Sequence, residues 1–158
     1  MAVLQSTYTQ SIAVGYPGMV ANGEEGNRIS RTVEDVAGLP FGRAAFRGVG
    51  DRGCTATPSA TAGAFLGISI ANLAVQPTVG VVASGFAADI YHQNGEAGLM
   101  NEGVIFVTAG SNTTQGAAAY VTSAGAFTAT SNSNTAIPAV FDDTVSSGTV
   151  VRLRVRKA

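Results

Sequence analysis

The chain has 158 residues, which is enough for one domain with a substantial core. Hydrophobic residues make up 46% of it but charged residues only 12%, about half the usual fraction of roughly 25%. So little charge is more typical of a surface that is buried in an assembly than of the surface of a free monomer. The net charge of −1 provides no attraction toward nucleic acid or an anionic membrane, which argues against both as partners.

The N-terminal residues predict an arm. Residues 1–11 are small and polar and lack the basic and apolar regions of a signal peptide, so we expect no export by the usual secretory route. Alternation over residues 12–16 predicts a short strand that stops at Pro17-Gly18. We therefore expect an extended N-terminal arm over residues 1–15 and a single β domain over residues 16–158.

The next segment predicts strands separated by tight turns. Asn22-Gly23 indicates a turn, and alternation over residues 28–33 indicates a half-buried strand. Residues 32–37 predict a single helical turn, with Thr32 as its cap and Gly38 and Pro40 ending it. Residues 43–49 return to an extended pattern, and residues 48–53 (GVGDRG) predict a loop.

The middle of the chain gives weaker signals. Residues 54–63 are of low complexity and turn-like, residues 65–71 (FLGISIA) predict a buried strand, and residues 79–83 a weak one. Residues 87–100, which contain Tyr91 and His92, predict a surface connection.

The last third predicts a meander of strands. Residues 103–109 (GVIFVTA) are the strongest strand in the chain, and residues 118–130 predict a hairpin around Ser123-Ala124-Gly125. A strand over residues 136–141 follows, and in residues 151–155 apolar side chains alternate with arginines. Many short strands and no helical stripe predict an all-β fold with little helix, either a jelly-roll-like sandwich or a small β-barrel.

The glycine pattern GVGDRG matches the dinucleotide-binding motif G-x-G-x-x-G. That motif requires a following helix and an acidic residue about 20 positions later. Here Cys54 and a Pro58-containing turn follow, and no acidic residue occurs between Asp51 and Asp89. The pattern therefore predicts a glycine-rich hairpin loop and no cofactor.

No group of residues predicts catalysis or a metal site. His92 is the only histidine and has no thiolate or carboxylate at ligand spacing, and no G-x-S-x-G nucleophile elbow is present. The adjacent carboxylate pairs predict solvated turns, since neighbours on a strand point to opposite faces. Cys54, the single cysteine, cannot form an intrachain disulfide, which fits assembly in a reducing compartment or a protein that needs no cross-link. We therefore expect that the protein is not an enzyme and that it binds neither a metal nor a cofactor.

The arginines are better candidates for function. Arg28 and Arg31 lie near Glu24, Glu25, Glu34 and Asp35 in sequence, which predicts ion pairs within the chain or between subunits. The row Arg152, Arg154 and Arg156 could contact a nucleic acid backbone. The favoured interpretation is a solvated strand face that discourages edge-to-edge pairing.

Several stretches resemble the structural cement, or capsid decoration, proteins of tailed bacteriophages. They are PGMV (17–20), RxxRTVED (28–35), LPFGRAAFRGVGDR (39–52), FLGISI (65–70), the Tyr91 loop, NEGVIFVTAG (101–110), GAFT (125–128) and AIPAVFDDTVSSGTVVRLRVR (136–156). The resemblance covers the chain from about Tyr16 to the C-terminus, apart from the TATPSATAG segment.

The resemblance implies a small β-rich protein, assembled in the host cytoplasm, on the outer surface of an icosahedral phage head. Its partners would be the major capsid protein and further copies of itself, as a homodimer or homotrimer at symmetry axes, with no nucleic acid or membrane involved. The N-terminal arm is the candidate for reaching a neighbouring subunit. We expect contact residues at Tyr16, Met19, Arg28, Arg31 and Phe41, with an ordinary core position as the alternative for Tyr16 and Phe41. Alternative functions are a tail or fibre component of the virion, or a module that binds carbohydrate or the host surface.

Overall fold

The computed structural model describes residues 15–24, 26–72 and 89–156, and within them the fold is all-β with no helix, which confirms the predicted fold class. The predictions for the arm at residues 1–14 and for a strand at residues 79–83 lie outside the described residues. The strands are β1 (Asn27–Val33), β2 (Leu39–Pro40), β3 (Ala44–Arg47), β4 (Gly53–Thr55), β5 (Phe65–Ser69), β6 (Ile90–Tyr91), β7 (Glu96–Thr108), β8 (Ala118–Val121), β9 (Phe127–Thr128), β10 (Thr135–Phe141) and β11 (Val150–Val155).

The 13-residue strand β7 organises the whole domain. Nine strands form one sheet in the order β1-β4-β3-β5-β7-β11-β10-β8-β9, and β1 also pairs with β7. This extra pairing closes five strands into a small barrel, because β1 and β5 both bind the first half of β7. The second half pairs with β11 from Thr108 to Gly103. The predicted small barrel is thus present, with further strands attached to it.

The far end of the sheet also returns to β7. Ala109, just after β7, forms a parallel bridge with Phe127 of β9, and the Gly110 amide donates to the Phe127 carbonyl at 2.7 Å. An unpaired strand edge is a template for unwanted pairing. Closure at both ends leaves the nine-stranded sheet few unpaired edges among the described residues.

Two hydrophobic cores fill this architecture. The smaller core lies among the barrel strands and includes Val33, Cys54 and Leu99. The larger core packs the other face of β3 and β5 against β8, β10 and β11, and includes Phe46 and Phe141. Strand β3 is buried on both faces, with Ala45 in the small core and Ala44 and Phe46 in the large one. Its run of apolar residues follows from this position.

Two local predictions were wrong. Residues 87–100 are not a surface connection: they contain β6 and the first half of β7, and Tyr91 is only 3% exposed. Residues 32–37 form no helical turn, because Thr32 lies within β1 and pairs with both Gly53 and Glu96. The chain turns instead at Asp35–Gly38, where the Gly38 amide donates to the Asp35 carbonyl at 2.9 Å.

Other predictions are confirmed. Strand β1 occupies the alternating segment, residues 48–53 connect β3 to β4, and β8 and β9 flank the Ser123-Ala124-Gly125 turn. In β11 the residues Val151, Leu153 and Val155 are buried as predicted. That strand, however, lies between β7 and β10, so its arginine row does not protect a sheet edge as we had interpreted it.

Candidate interaction surface

A strand-like segment, Tyr16 to Ala21, is held against the second half of β7. The Gly18 amide donates to the Phe106 carbonyl at 2.8 Å, and the Phe106 amide donates back to the Met19 carbonyl at 2.9 Å. The Ala21 amide donates to the Val104 carbonyl at 2.9 Å. Tyr16 is 45% exposed, one of three large hydrophobic residues exposed to this degree among the described residues, and Met19 is half-buried. The segment therefore presents two apolar side chains from a rigid backbone.

The turn at Pro17-Gly18 packs closely on the small core. A Cβ at Gly18 would lie 2.7 Å from the Ala71 amide nitrogen and 3.0 Å from the Phe41 Cβ, and its φ of +86° also favours glycine. Phe41 is only 7% exposed and meets Tyr91 edge-to-face, with ring centroids 5.1 Å apart. Among the predicted contact residues, Phe41 thus occupies the core position that was its alternative.

Tyr91 ties this core to two strands. Its hydroxyl donates to the Ile70 carbonyl at 2.7 Å. Burial raises the pKa of Tyr91, an effect partly offset by a hydrogen bond from the Gly98 backbone. The tyrosine is therefore a structural side chain in its neutral form.

Arg28 and Arg31 lie on opposite faces of β1. Arg28 pairs in register with Met100 and lines a groove of about 310 Å³ together with Val20 and Glu24. Arg31 pairs with Ala97 and lines a separate cavity of about 270 Å³. The structure therefore brings Arg28 close to Val20, near the end of the segment that carries Tyr16 and Met19, whereas Arg31 lines a different cavity.

The ion pairs that we predicted within the chain for these two arginines do not form among the described residues. The nearby acids have other partners: Asp35 accepts from the Thr55 hydroxyl at 2.7 Å and from the Ala56 amide at 2.5 Å. Glu24 pairs with Arg154. Ion pairs between subunits remain a prediction.

Two of the three arginines in the predicted row, Arg152 and Arg154, are neutralised by acids. Arg154 pairs with Asp142 at 2.9 Å and also with Glu24, and Arg152 pairs with Asp143. The hydrogen bond from Arg154 lowers the pKa of Glu24, and that from Arg152 lowers the pKa of Asp143. With Arg152 and Arg154 compensated, only Arg156 of the row has an uncompensated charge within the described residues, which is too little to favour a nucleic acid backbone as partner. The ion pair between Arg154 and Glu24 also holds the Asn22–Glu24 loop against the sheet.

The glycine-rich loop holds a carboxylate of this chain. Glu34 accepts hydrogen bonds from the amides of Val49 at 2.7 Å and Gly50 at 2.8 Å, and these two bonds lower its pKa. A Cβ at Gly48 or Gly53 would overlap the Glu34 carboxyl group. The glycines therefore make room for Glu34, for which the sequence predicts an arginine partner or a solvated turn and gives no sign of this loop.

The residues considered for chemistry are not assembled into a reactive site. Cys54 is fully buried, and this burial raises the pKa of its thiol to about 11. His92 is half-buried in the connection between β6 and β7. Within the described residues no three His, Cys, Asp or Glu side chains are close enough to bind one metal ion. The same part of the chain contains no helix with the length and apolarity needed to cross a membrane.

Comparisons with known proteins identify the family. A family model described as "Structural cement protein (E217 gp24/Pam3 gp6)" matches residues 4–156. A chain of the structure reported as "The capsid of Myoviridae Phage XM1" aligns with a TM-score of 0.67 and 18% identity, over 99% of both chains. A chain from "The crystal structure of head fiber gp8.5 N base in bacteriophage phi29" aligns with a TM-score of 0.47 and 14% identity, over 84% of this chain and 95% of that one.

No match was found among curated proteins. The likeness to the phage XM1 chain shows a shared fold, and the likeness to the phi29 chain is too weak to support an argument. The family model, in contrast, covers nearly the whole chain and confirms the resemblance found in the sequence. This protein belongs to the phage structural cement protein family.

Proposed function

We propose that this protein is a capsid decoration protein, which binds the outer surface of an icosahedral phage head and stabilises it by bridging neighbouring major capsid subunits. The observation that carries the proposal is the family match over residues 4–156. The low charge content and the absence of an assembled reactive site among the described residues agree with adhesion and not catalysis. On this proposal the protein is not an enzyme and assembles onto heads in the host cytoplasm.

The segment of Tyr16 and Met19, with Arg28 beside it, is the proposed contact with one capsid subunit. Its backbone is already fixed by hydrogen bonds to β7, so binding would order little additional chain. A half-exposed tyrosine supplies a large contact area with few rotatable bonds. Phe41 packs against the Pro17-Gly18 turn from within the small core and is not proposed as a direct contact.

Bridging requires contacts on more than one face. Arg28 and Arg31 point to opposite faces of β1 and line different cavities, so they can engage two different neighbours. Each contact then needs only a modest interface, on the order of 1,000 Å². Once one contact has formed, the second becomes intramolecular, which raises its effective concentration. Self-association as a dimer or trimer at symmetry axes, and an N-terminal arm reaching a neighbour, would add further contacts.

Binding to undecorated heads tests this function. Purified protein is mixed with expanded heads that lack it, and the heads are pelleted and the bound copies counted. We expect saturation at a stoichiometry that matches two-fold or three-fold sites, and heads that withstand heating better than bare ones. Light scattering after size-exclusion chromatography gives the oligomeric state of the free protein.

A surface variant provides the control for specificity. Tyr16→Ala combined with Met19→Ala should weaken binding at least tenfold, whereas Val36→Ala, which alters another exposed hydrophobic residue, should bind like the wild type. Protein that pellets with isolated tails and not with heads would contradict the proposal and indicate a tail component.

A further inference from the structure

The cavity lined by Arg31 lies at one side of the small barrel and contains three arginines. It measures about 270 Å³ and is bounded by residues of β1, β3, β5 and β7, by Gly63 shortly before β5 and by Arg156 just after β11. Its lining consists of Ile29, Arg31, Arg47, Gly63, Phe65, Leu66, Asn101 and Arg156. Leu66 belongs to the small core, and Ile29 packs against it. The cavity therefore combines an apolar surface, continuous with the small core, with three arginines.

The positive charge of this cavity is not compensated. No acidic side chain lines it, and none of its three arginines forms a salt bridge within the described residues. Backbone carbonyls fix two of them: Arg31 donates to the Ser30 carbonyl at 2.8 Å, and the Arg47 Nε donates to the Gly63 carbonyl at 3.0 Å. Each guanidinium has five N–H donors, so most of them remain available.

Asn101 adds a second unmet requirement. Its Oδ1 atom is buried and has no hydrogen-bond partner among the described residues, and it is the one such side-chain atom found there. An unpaired buried acceptor costs free energy that a suitably placed donor recovers. Asn101 is also part of the cavity lining, so an occupant of the cavity lies next to its side-chain amide. An occupant with an N–H group would then satisfy it.

We propose that this cavity binds an extended acidic peptide segment of a partner protein. Carboxylates of the segment pair with Arg31, Arg47 and Arg156, a backbone N–H donates to Asn101 Oδ1, and an apolar side chain rests on Ile29 and Phe65. The peptide provides acceptors, a donor and an apolar group together, which an ionised phosphate does not. The long segments outside the described residues, 1–14 and 73–88, contain no Asp or Glu and so cannot supply these carboxylates.

The choice of partner rests on the proposed function, since a capsid subunit would then present the acidic segment. Arginine pairs planar carboxylates through two parallel hydrogen bonds. The cavity would thus be the second contact face, on the opposite side of β1 from Arg28.

A peptide titration followed by NMR tests the cavity directly. The probe is a capped octapeptide of alternating glutamate and leucine, and the matched peptide has glutamine in place of glutamate. We expect the glutamate peptide to shift the side-chain amide signals of Asn101 and the glutamine peptide to leave them unchanged. Arg47→Gln and Arg156→Gln should each weaken binding about tenfold. Arg52→Gln, an exposed arginine outside the cavity, should leave binding unchanged, and thermal melts would confirm that all variants are folded.

Three results would overturn the inference: no shift at millimolar peptide, equal weakening by Arg52→Gln, or displacement of the peptide by a single-stranded oligonucleotide at lower concentration. Undecorated heads separate this inference from the proposed function. If wild-type protein ignores heads while the peptide binds the cavity, the proposed function fails and the cavity assignment stands. If the Arg47→Gln, Arg156→Gln double variant binds heads like the wild type and the peptide does not bind, the cavity assignment alone fails.

Discussion

Replacing Tyr91 with phenylalanine would remove one oxygen atom from the core beneath the Pro17-Gly18 turn. The ring is 3% exposed and would keep its edge-to-face contact with Phe41. What disappears is the 2.7 Å hydrogen bond from the Tyr91 hydroxyl to the Ile70 carbonyl, together with the hydrogen bond that this hydroxyl accepts from the Gly98 backbone. The variant therefore measures how firmly the end of β5 is held over the small core.

The expected loss of stability follows from this geometry. A typical hydrogen bond contributes about 1 kcal/mol net, and leaving a buried acceptor unpaired costs roughly 1–3 kcal/mol. We expect Tyr91→Phe to lower the free energy of unfolding by about 1–2 kcal/mol. For a chain of this size, each kcal/mol corresponds to about 2–4 °C in Tm, so the melting temperature should fall by about 2–8 °C.

Urea denaturation at 25 °C measures this loss, with the dependence on urea concentration compared between variants. Tyr120→Phe is the matched control, because Tyr120 is half-buried in β8 and its hydroxyl has no hydrogen bond among the described residues. It should change the free energy of unfolding by less than about 0.5 kcal/mol. Equal stability of the two variants would refute the structural role assigned to the Tyr91 hydroxyl.

Three further predictions concern charged and reactive groups. Glu34→Gln should speed amide hydrogen exchange in the glycine-rich loop severalfold. Because the folded pKa of Glu34 is lowered, its contribution to stability is present above the ordinary glutamate pKa of 4.5 and is lost as the pH falls below that value, a loss that the variant should not show. Cys54 should resist Ellman's reagent at pH 8 until the protein unfolds. Its raised pKa means that stability falls as the pH rises from 9 through about 11, and Cys54→Ala should reduce that fall and leave the part that comes from the raised pKa of Tyr91. Glu24→Gln and Arg154→Gln should each accelerate proteolysis of the loop before β1, because each removes the ion pair that holds this loop. The double variant should be cleaved no faster than either single variant, and additive effects would contradict a direct ion pair.

The parts of the fold that the sequence predicted are those whose signals are local. Alternation in residues 151–155 and the Ser123-Ala124-Gly125 turn are visible within a few residues, and both are confirmed. The first half of β7 was missed because residues 96–100 (EAGLM) have no strong strand propensity. They are extended because β1 and β5 pair with them from both sides. Such pairing comes from distant residues and has no local signature.

The candidate surface was predictable to a smaller extent. The turn at Pro17-Gly18 and the two arginines were found from residue types. Which residues Arg28 and Arg31 meet on the two faces of β1 depends on the neighbouring strands, which the local sequence does not specify. The partner of the glycine-rich loop was not predictable, because Glu34 is separated from Val49 by 15 residues and no spacing rule connects a loop to such a carboxylate. The position of Phe41 depended likewise on Tyr91, which is 50 residues away in sequence.

A single long strand connects the two proposed contact faces, and this has a mechanical consequence. The Tyr16 segment is hydrogen-bonded to the second half of β7, whereas the arginine cavity is bounded by β1 and β5, which pair with the first half. Load applied between two bound capsid subunits would therefore pass along β7, across hydrogen bonds that lie roughly perpendicular to the strand and are sheared together. A hinge between the faces would allow the subunits to separate before either contact broke. If the protein bridges two subunits as proposed, both faces are fixed to one continuous strand, and the subunits separate only when a whole interface is lost.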